Sequence, residues 1–287
     1  DIRCLARDFS IEIVGLFDTM ISCQFIGEER FGLADVLGKY YGLELDKKYQ
    51  RADWTKRPMS PEMIRYAAGD TEYLERLVGI LEEKLVTMGR RDWVAEEFSL
   101  LEKARFAEYD GPLCLRFKGA GKLSRRQLGL LEELLLWRDQ ESERRDLPHF
   151  KVLGNKTLLQ LATLPLTGTH SLVGIEGLSP RLIDRYGKAL MLAVERGKSI
   201  EEADLPVFPR GERREKDLAA EKRFMCLKEW RQKTAAALEL DPGVLINNAT
   251  LEQVARANPQ GEQALSDLGV LKSWQLGELG AGILQAI

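Results

Sequence analysis

Apolar side chains recur at three- and four-residue intervals through the middle of the chain: Leu128, Leu131, Leu134, Leu135 and Trp137, then Leu158, Leu161 and Ala162, then Leu182, Ile183, Tyr186 and Leu190. This spacing puts one apolar stripe on each of several helices, with Pro and Gly punctuating them. The pattern returns 93 residues later. Trp137-Arg138 falls on Trp230-Arg231, Leu134 on Leu227, Asn155 on Asn248, Thr157-Leu158 on Thr250-Leu251, Ala162 on Ala255, Leu172 on Leu265 and Gly187 on Gly280. Such self-similarity marks a duplicated structural unit. The spacing predicts two small helical bundles, residues 121–199 and 217–287, each near the lower size limit for independent folding. Residues 200–216 form a linker, since LPVFPRGERR combines two prolines with a charged run.

The first hundred residues have a different texture. Ile11 to Phe17 includes β-branched residues and predicts a short buried strand, while Ile2 to Phe9 and Leu33 to Tyr41 read as helices. Ser60 as N-cap and Pro61 at the first helical position open a helix expected from about Glu62 to Met88, stopped by Gly89. A second helix from Trp93 to about Glu108 is expected to lead, within a connecting helix and hinge at 91–120, to the repeats. The expected fold class is α/β followed by all-α.

The length of 287 residues suits two or three domains, and no run approaches the roughly 20 apolar residues of a membrane helix. The opening DIRCLARDFS is unlike a signal peptide. The four cysteines form no CxxC pair and there are two histidines, so a reduced, cytoplasmic protein is expected, whose metals, if it binds any, take oxygen ligands. The missing initiator Met and the start within a helical pattern are expected of a fragment. Residues 1–112 carry 16 basic against 22 acidic side chains, residues 113–200 carry 15 against 9, and residues 201–287 carry 11 against 14. The middle block alone is basic, as a grip for phosphates would be.

Tyr66 and Asp70 are spaced i, i+4 and share one helix face, a weak signal alone. GAGKL at 119–123 has Leu123 where a P-loop needs Ser or Thr, and reads as a flexible basic hinge. GIEGLSPRLIDRYG at 174–187 reads as a turn between packed helices, with phosphate binding at the helix start as the alternative. The Trp137-Arg138 and Trp230-Arg231 pairs read as core tryptophans beside arginines that face water.

The segment YAAGDTEYL, preceded by LDKKYQRADWTKRPMSPEMI and FDTMISCQFIGEERFGLADVLGKYYG, resembles the ribonuclease D family of 3′-to-5′ exonucleases, whose third motif is Tyr-x-x-x-Asp. The resemblance extends over essentially the whole chain. It implies that residues 1–90 are the C-terminal part of a ribonuclease H-like exonuclease domain and that the bundles resemble the tandem HRDC domains shared with RecQ-type helicases. In that family four acidic residues hold two divalent ions, Mg²⁺ or Mn²⁺. Asp70 matches the third-motif ligand, Tyr66 its tyrosine, and Asp1 of DIRCLARDF the second-motif ligand. Asp18 in LFDT competes for that place and reads as a strand-end residue with a supporting role. The first motif, Asp-x-Glu on a strand, is absent; Asp70-Thr71-Glu72 lies inside the third motif and counts as coincidence.

Two ions about 4 Å apart can generate hydroxide, orient the scissile phosphate and stabilise the leaving 3′ oxygen, with Tyr66 positioning the water. The implied function is 3′-to-5′ trimming of RNA, with transfer RNA precursors carrying 3′ extensions as substrates. The chain as it stands is expected to be inactive without the Asp-x-Glu pair. A non-catalytic nucleic-acid-binding adaptor and a DNA exonuclease are the alternatives. Lys118, Lys122, Arg125, Arg126, Arg144 and Arg145 are the candidate nucleic-acid contacts.

Overall fold

The computed structural model describes residues 1–44, 48–107, 109–209 and 217–287. The chain divides into two compact units, Asp1–Phe106 with Glu215–Ile287, and Ala107–Arg214.

In the first unit, α1 (Ile2–Phe9), α2 (Thr19–Phe25) and α3 (Leu33–Tyr41) occupy the positions around the segment expected to be a strand. Residues 10–18 contain no strand, and none is found among the described residues, so the α/β expectation is not met. A strand exists only through a ladder partner. Here the Leu16 N–H donates to Glu102 Oε1 at 2.7 Å instead, and Val14 is 85% exposed. Asp18 caps α2, its carboxylate accepting from the Ile21 N–H at 2.9 Å, which satisfies an otherwise orphaned helix-start donor.

The single helix expected from Glu62 to Met88 is two helices, α4 (Pro61–Gly69) and α5 (Leu74–Thr87). Ser60 and Pro61 start α4 as the sequence predicts, Ser60 Oγ accepting from Met63 N–H at 3.3 Å. The break follows from Gly69 and the polar run behind it. Thr71 N–H bonds back to the Ala68 carbonyl, and Leu74 N–H to that of Thr71, tightening the ladder before α5 begins. Leu77, Leu81 and Leu85 then form the buried stripe of α5. Gly89, at φ +68, reverses the chain and lets Arg90 N–H reach the Leu85 carbonyl. The next helix, α6 (Arg91–Glu102), is shorter than expected; Glu108, its predicted end, lies outside the described residues.

The same unit contains the second bundle: after four helices of the other unit, α11 (Leu218–Ala237), α12 (Pro242–Leu245), α13 (Asn248–Ala257), α14 (Glu262–Asp267) and α15 (Ser273–Ala286) lie here. One continuous core runs from Cys23, Leu81 and Phe98 to Leu227, Leu251 and Ile283. Trp93 of α6 stacks on Trp274 of α15, ring centroids 4.9 Å apart, and Phe25 meets Trp274 edge-on at 5.5 Å. Glu96 accepts the Ser273 and Trp274 N–H groups at 2.8 Å each, capping α15 from another helix. Burial opposes ionisation of Glu96, but these backbone donors outweigh it and hold the carboxyl below its usual range. Glu97 bonds Lys272 Nζ at 2.5 Å and accepts from Trp274 Nε1 at 2.9 Å. Arg90, buried, donates to the carbonyls of Phe25 and Leu238.

In the second unit, α7 (Arg125–Arg145), α8 (His149–Val152), α9 (Asn155–Thr163) and α10 (Pro180–Ser199) enclose a core of Leu128, Leu131, Leu134, Leu158, Leu161 and Leu190. Ser124 and Gln127 form a reciprocal capping box at the start of α7. The GAGKL segment forms a short turn, Ala120–Lys122, with Ala120 wholly buried. Helices α7 and α10 approach so closely that a Cβ on Gly197 would fall 2.7 Å from Leu130 Cα. Of the expected linker 200–216, residues 210–216 lie outside the described residues.

The two Trp-Arg pairs correct the sequence reading. Trp137 is in the core and Trp230 is half-buried, but Arg138 and Arg231 are buried too, at 6% and 9% exposure. Arg138 Nη1 donates to the Leu153 carbonyl at 3.2 Å and to Asn155 Oδ1 at 2.7 Å; Arg231 Nη1 donates to the Ile246 carbonyl at 2.6 Å. Leu153 and Ile246, the extended residues closing α8 and α12, occupy equivalent places in the repeat. Each guanidinium satisfies a buried carbonyl that the helix–turn junction cannot pair itself.

Trp274→Ala is expected to cost about 3–5 kcal/mol and to lower hydrogen-exchange protection in residues 1–106 and 217–287 while leaving α7 to α10 unchanged. Uniform loss of protection in both units would contradict the shared core. Burial raises the thiol pKa of Cys23 to about 11 and of Cys114 to about 12, whereas Cys4 and Cys226 are exposed. A thiol reagent at neutral pH should therefore modify two cysteines in the native protein and all four after unfolding.

Candidate active site

Tyr66 sits on α4 with its ring half-buried between Tyr49, at 6.0 Å, and Trp54, at 5.9 Å. Trp54 Nε1 donates to the Tyr49 carbonyl at 3.2 Å, which closes the loop that carries both flanking rings. Asp53 accepts from Thr55 Oγ1 at 2.6 Å and adds a second tie in the same loop. Offset aromatic neighbours of this kind restrict where a tyrosine ring can move and so where its hydroxyl can point. The sequence reading passed over Tyr49 and Trp54. Their signal was two large aromatics in an otherwise polar, charged run just ahead of Ser60 and Pro61.

Asp70 is the residue after α4, half-buried, and its N–H reaches the Tyr66 carbonyl at 3.2 Å, so the one-turn relation read from spacing is preserved across the helix end. Its carboxylate has no hydrogen bond or ion pair among the described residues. Asp1 is the exposed N-cap of α1 and makes no capping bond with its side chain. Asp18 differs from both, because its carboxylate is committed to the start of α2.

Carboxylate oxygens are the donors that Mg²⁺ and Mn²⁺ prefer. Among the described residues, however, no three His, Cys, Asp or Glu side chains gather closely enough to hold an ion. Asp1 and Asp70 therefore fit such an ion in kind, but the described residues do not complete its coordination. A cavity of 730 Å³ in the same unit is lined by Gln24, Glu28, Phe31, Glu239 and neighbouring residues and by none of the predicted site residues.

The six candidate nucleic-acid contacts divide by position. Arg125 donates to the Glu202 and Leu205 carbonyls, and Arg126 to those of Lys198 and Ile200, with Glu202 as an ion partner. Both hold the chain that leaves α10. Arg144 pairs in two places with Glu141, and Arg145 donates to the Tyr186 hydroxyl. At 1.5 Å per residue the two arginine pairs lie about 28 Å apart, at opposite ends of α7. Lys118 and Lys122 are exposed in the turns ahead of α7. The structure thus does not gather these six into one patch. In the turn at 174–187, Gly177 adopts φ +85 with Thr157 Oγ1 lying 2.3 Å from where a Cβ would be, and Thr157 donates to the Glu176 carbonyl; Ser179 caps α10. That is the packed turn expected of it.

Residues 1–86 match the 3′-5′ exonuclease family model, and residues 127–194 and 220–287 each match the HRDC domain model, displaced from one another by the 93 residues of the repeat. The chain is 30% identical to ribonuclease D of Acidiphilium cryptum over 213 residues, which cover 73% of this chain and 54% of that protein. It is 26% identical to ribonuclease D of Pseudomonas paraeruginosa over 279 residues, 96% of this chain and 72% of that one. The chain thus spans about half the length of the first of these relatives. The crystal structure of Escherichia coli RNase D, described as an exoribonuclease involved in structured RNA processing, superposes with a TM-score of 0.69 at 22% identity, over 99% of this chain and 76% of that one, which shows the fold. The expected inactivity of the chain has no support among these relatives. Taken with the Tyr66–Asp70 arrangement, the matches make this chain a ribonuclease D homologue, with 3′-5′ exonuclease family sequence followed by two HRDC domains.

Proposed function

We propose that the protein is a 3′-to-5′ exoribonuclease that removes nucleotides one at a time from RNA 3′ ends, with transfer RNA precursors bearing 3′ extensions as its substrates. The observation that carries this reading is the Tyr66–Asp70 pair. A tyrosine held between two rings is followed one turn later by a half-buried carboxylate without a partner among the described residues, inside a stretch that matches the 3′-5′ exonuclease model. A carboxylate engaged in structure would be capped or paired, as Asp18 is.

Dependence on Mg²⁺ or Mn²⁺ is part of the proposal, with Asp1 and Asp70 as carboxylate donors. A bound divalent ion supplies Lewis-acid charge at the phosphate. The chain's own groups have definable parts. The Tyr66 hydroxyl, its ring flanked by Tyr49 and Trp54, orients a water toward the terminal phosphodiester by hydrogen bonding. Asp70 presents negative charge one helical turn away. Action in the cytoplasm accords with four free cysteines, two of them exposed. Among the described residues no helix is long and apolar enough to cross a membrane.

End-labelled single-stranded RNA should release 5′-mononucleotides from its 3′ end, chelation should stop the release, and Mg²⁺ or Mn²⁺ should restore it. Asp70→Asn should abolish turnover, because an amide cannot supply the charge. Tyr66→Phe should lower kcat roughly 10- to 100-fold, and Trp54→Ala should lower kcat in the same direction through loss of ring positioning. Normal turnover by the Asp70 variant would sink the assignment, and equal hydrolysis of a DNA strand would move it to the broader nuclease reading. In the same assay Asp1→Asn should remove activity, whereas Asp18→Asn should chiefly lower stability, by about 0.5–2 kcal/mol for a lost cap. The reverse outcome would assign the ligand to Asp18.

A further inference from the structure

Helix α1 carries no buried residue: Ile2, Leu5 and Ala6 are half-buried along one side, and Arg3 and Arg7, one turn apart, are exposed. Eight residues without a buried stripe do not hold a helix in place by propensity, because helices this short are marginal in water and draw their stability from packing. Three ties reach α1 and the segment behind it from residues 102–106, the end of α6 and the stretch that follows it. Glu102 Oε1 accepts the Leu16 N–H at 2.7 Å, and Arg105 Nη2 lies 3.5 Å from Glu12 Oε1. The Phe106 ring meets both arginines of α1, with the Arg7 guanidinium 4.7 Å and the Arg3 guanidinium 5.0 Å from its centre.

Phe106 is 42% exposed, so its ring does not serve the core. A ring left half in water while it faces two cations acts through the negative charge of its π face rather than through burial. Arg7 is steadied in turn by Asp8, whose carboxylate meets Nε at 2.6 Å. Phe106 is also the last residue of its unit and lies beyond residues 1–86, the part that matches the exonuclease family. At the other end of the clamped helix stands Asp1. Its carbonyl accepts the Leu5 N–H at 2.9 Å, while its carboxylate makes no capping bond, so the place of that carboxylate follows from where α1 sits.

We propose that Phe106 is a positioning residue for the exonuclease reaction: by clamping Arg3 and Arg7 it fixes α1, and through α1 the Asp1 carboxylate. This rests on the reading of Asp1 as a carboxylate donor given above. A grip at two points one turn apart sets both the roll of the helix and its shift along its axis, whereas a single contact leaves it free to pivot. The ties to Glu12 and Leu16 hold the chain after α1 and so restrain its far end alone. Without the ring, α1 is anchored behind Phe9, and Asp1, eight residues or about 12 Å away along the helix, is displaced most.

The test compares the whole chain with Phe106→Leu, which keeps an apolar side chain and removes the π face, and with Phe106→Tyr, which keeps the face. Hydrogen exchange is followed over residues 2–9, Mn²⁺ binding is titrated without RNA from the paramagnetic signal of the free ion, and kcat, KM and the unfolding midpoint are measured. Phe106→Leu is expected to exchange about 5- to 30-fold faster in α1, as the loss of two exposed cation–π contacts implies, with α5 and α6 unchanged. It should also bind Mn²⁺ more weakly and lower kcat, each by a factor within that range, at an unchanged KM and midpoint. Phe106→Tyr should behave as wild type in every measurement. Unchanged exchange in α1 of the Leu variant overturns the clamp and leaves the exonuclease reading standing. Faster exchange with wild-type Mn²⁺ affinity and kcat overturns the positioning role, because Phe106 then steadies α1 without consequence for Asp1. If the wild-type chain neither binds Mn²⁺ nor releases nucleotides, the exonuclease reading fails and this proposal with it. Should the Leu variant melt early, Arg3→Gln on the exposed side of α1 decides by the same measurements: faster exchange together with weaker Mn²⁺ binding supports the clamp, and wild-type values overturn it.

Discussion

The stack of Trp93 on Trp274 organises the larger unit. Two indoles in offset contact bury a large apolar area at the point where α6 meets the start of α15. Around the stack, polar groups that burial would otherwise strand are paired across the junction. Glu96 takes the first two N–H groups available at α15, Glu97 takes the Trp274 indole N–H and the Lys272 ammonium, and Arg90 takes two carbonyls. An unpaired buried donor costs about as much as the contact gains, so the apolar stack and its polar rim are stable only together. The result is that exonuclease-family helices and the second HRDC bundle share one core and form one unit.

This dock also explains how duplicated bundles diverge without losing their skeleton. The conserved internal device is the buried arginine, Arg138 in one copy and Arg231 in the other, reaching a carbonyl at the helix–turn junction. In each copy the guanidinium Nε has no hydrogen-bond partner among the described residues. Desolvation lowers the pKa of Arg138 without removing its charge, since guanidinium titrates far above neutrality. Such a group is costly to bury and holds its place by satisfying backbone acceptors inside the bundle. The residues of the dock differ between the copies: Leu238 and Trp274 of the second correspond to Arg145 and Arg181 of the first.

The candidate site depends on a smaller set of contacts. Its tyrosine is fixed from the side by a loop that the sequence pattern marks only as polar, and its aspartate stands where α4 gives way to a tightened turn. The break after Gly69 therefore shapes the candidate site: it ends α4 beside Asp70 and starts α5 on its own leucine stripe. Asp18 shows the contrast, since the same residue type used as a cap has its oxygen committed.

What could be read in the sequence were local and periodic features. The repeat was visible because each bundle buries the same spacing of apolar residues; α1 and α3 were visible because helix ends are written in nearby residues; and Tyr66 with Asp70 was visible because a four-residue spacing is one turn of helix whatever surrounds it. The strand at Ile11–Phe17 was misread because β-branched residues state only a preference, and a strand forms only where a partner satisfies its backbone. The buried arginines were misread for a related reason: a guanidinium goes inside only if a carbonyl waits there, and the Leu153 and Ile246 carbonyls are placed by the fold fifteen residues away. The dock of Trp93 on Trp274 joins groups about 180 residues apart in the chain, and no local propensity encodes it. Composition and spacing therefore determined which helices form and which residues match an exonuclease motif, whereas tertiary packing decided which charges are spent inside and which part of the second bundle meets α6.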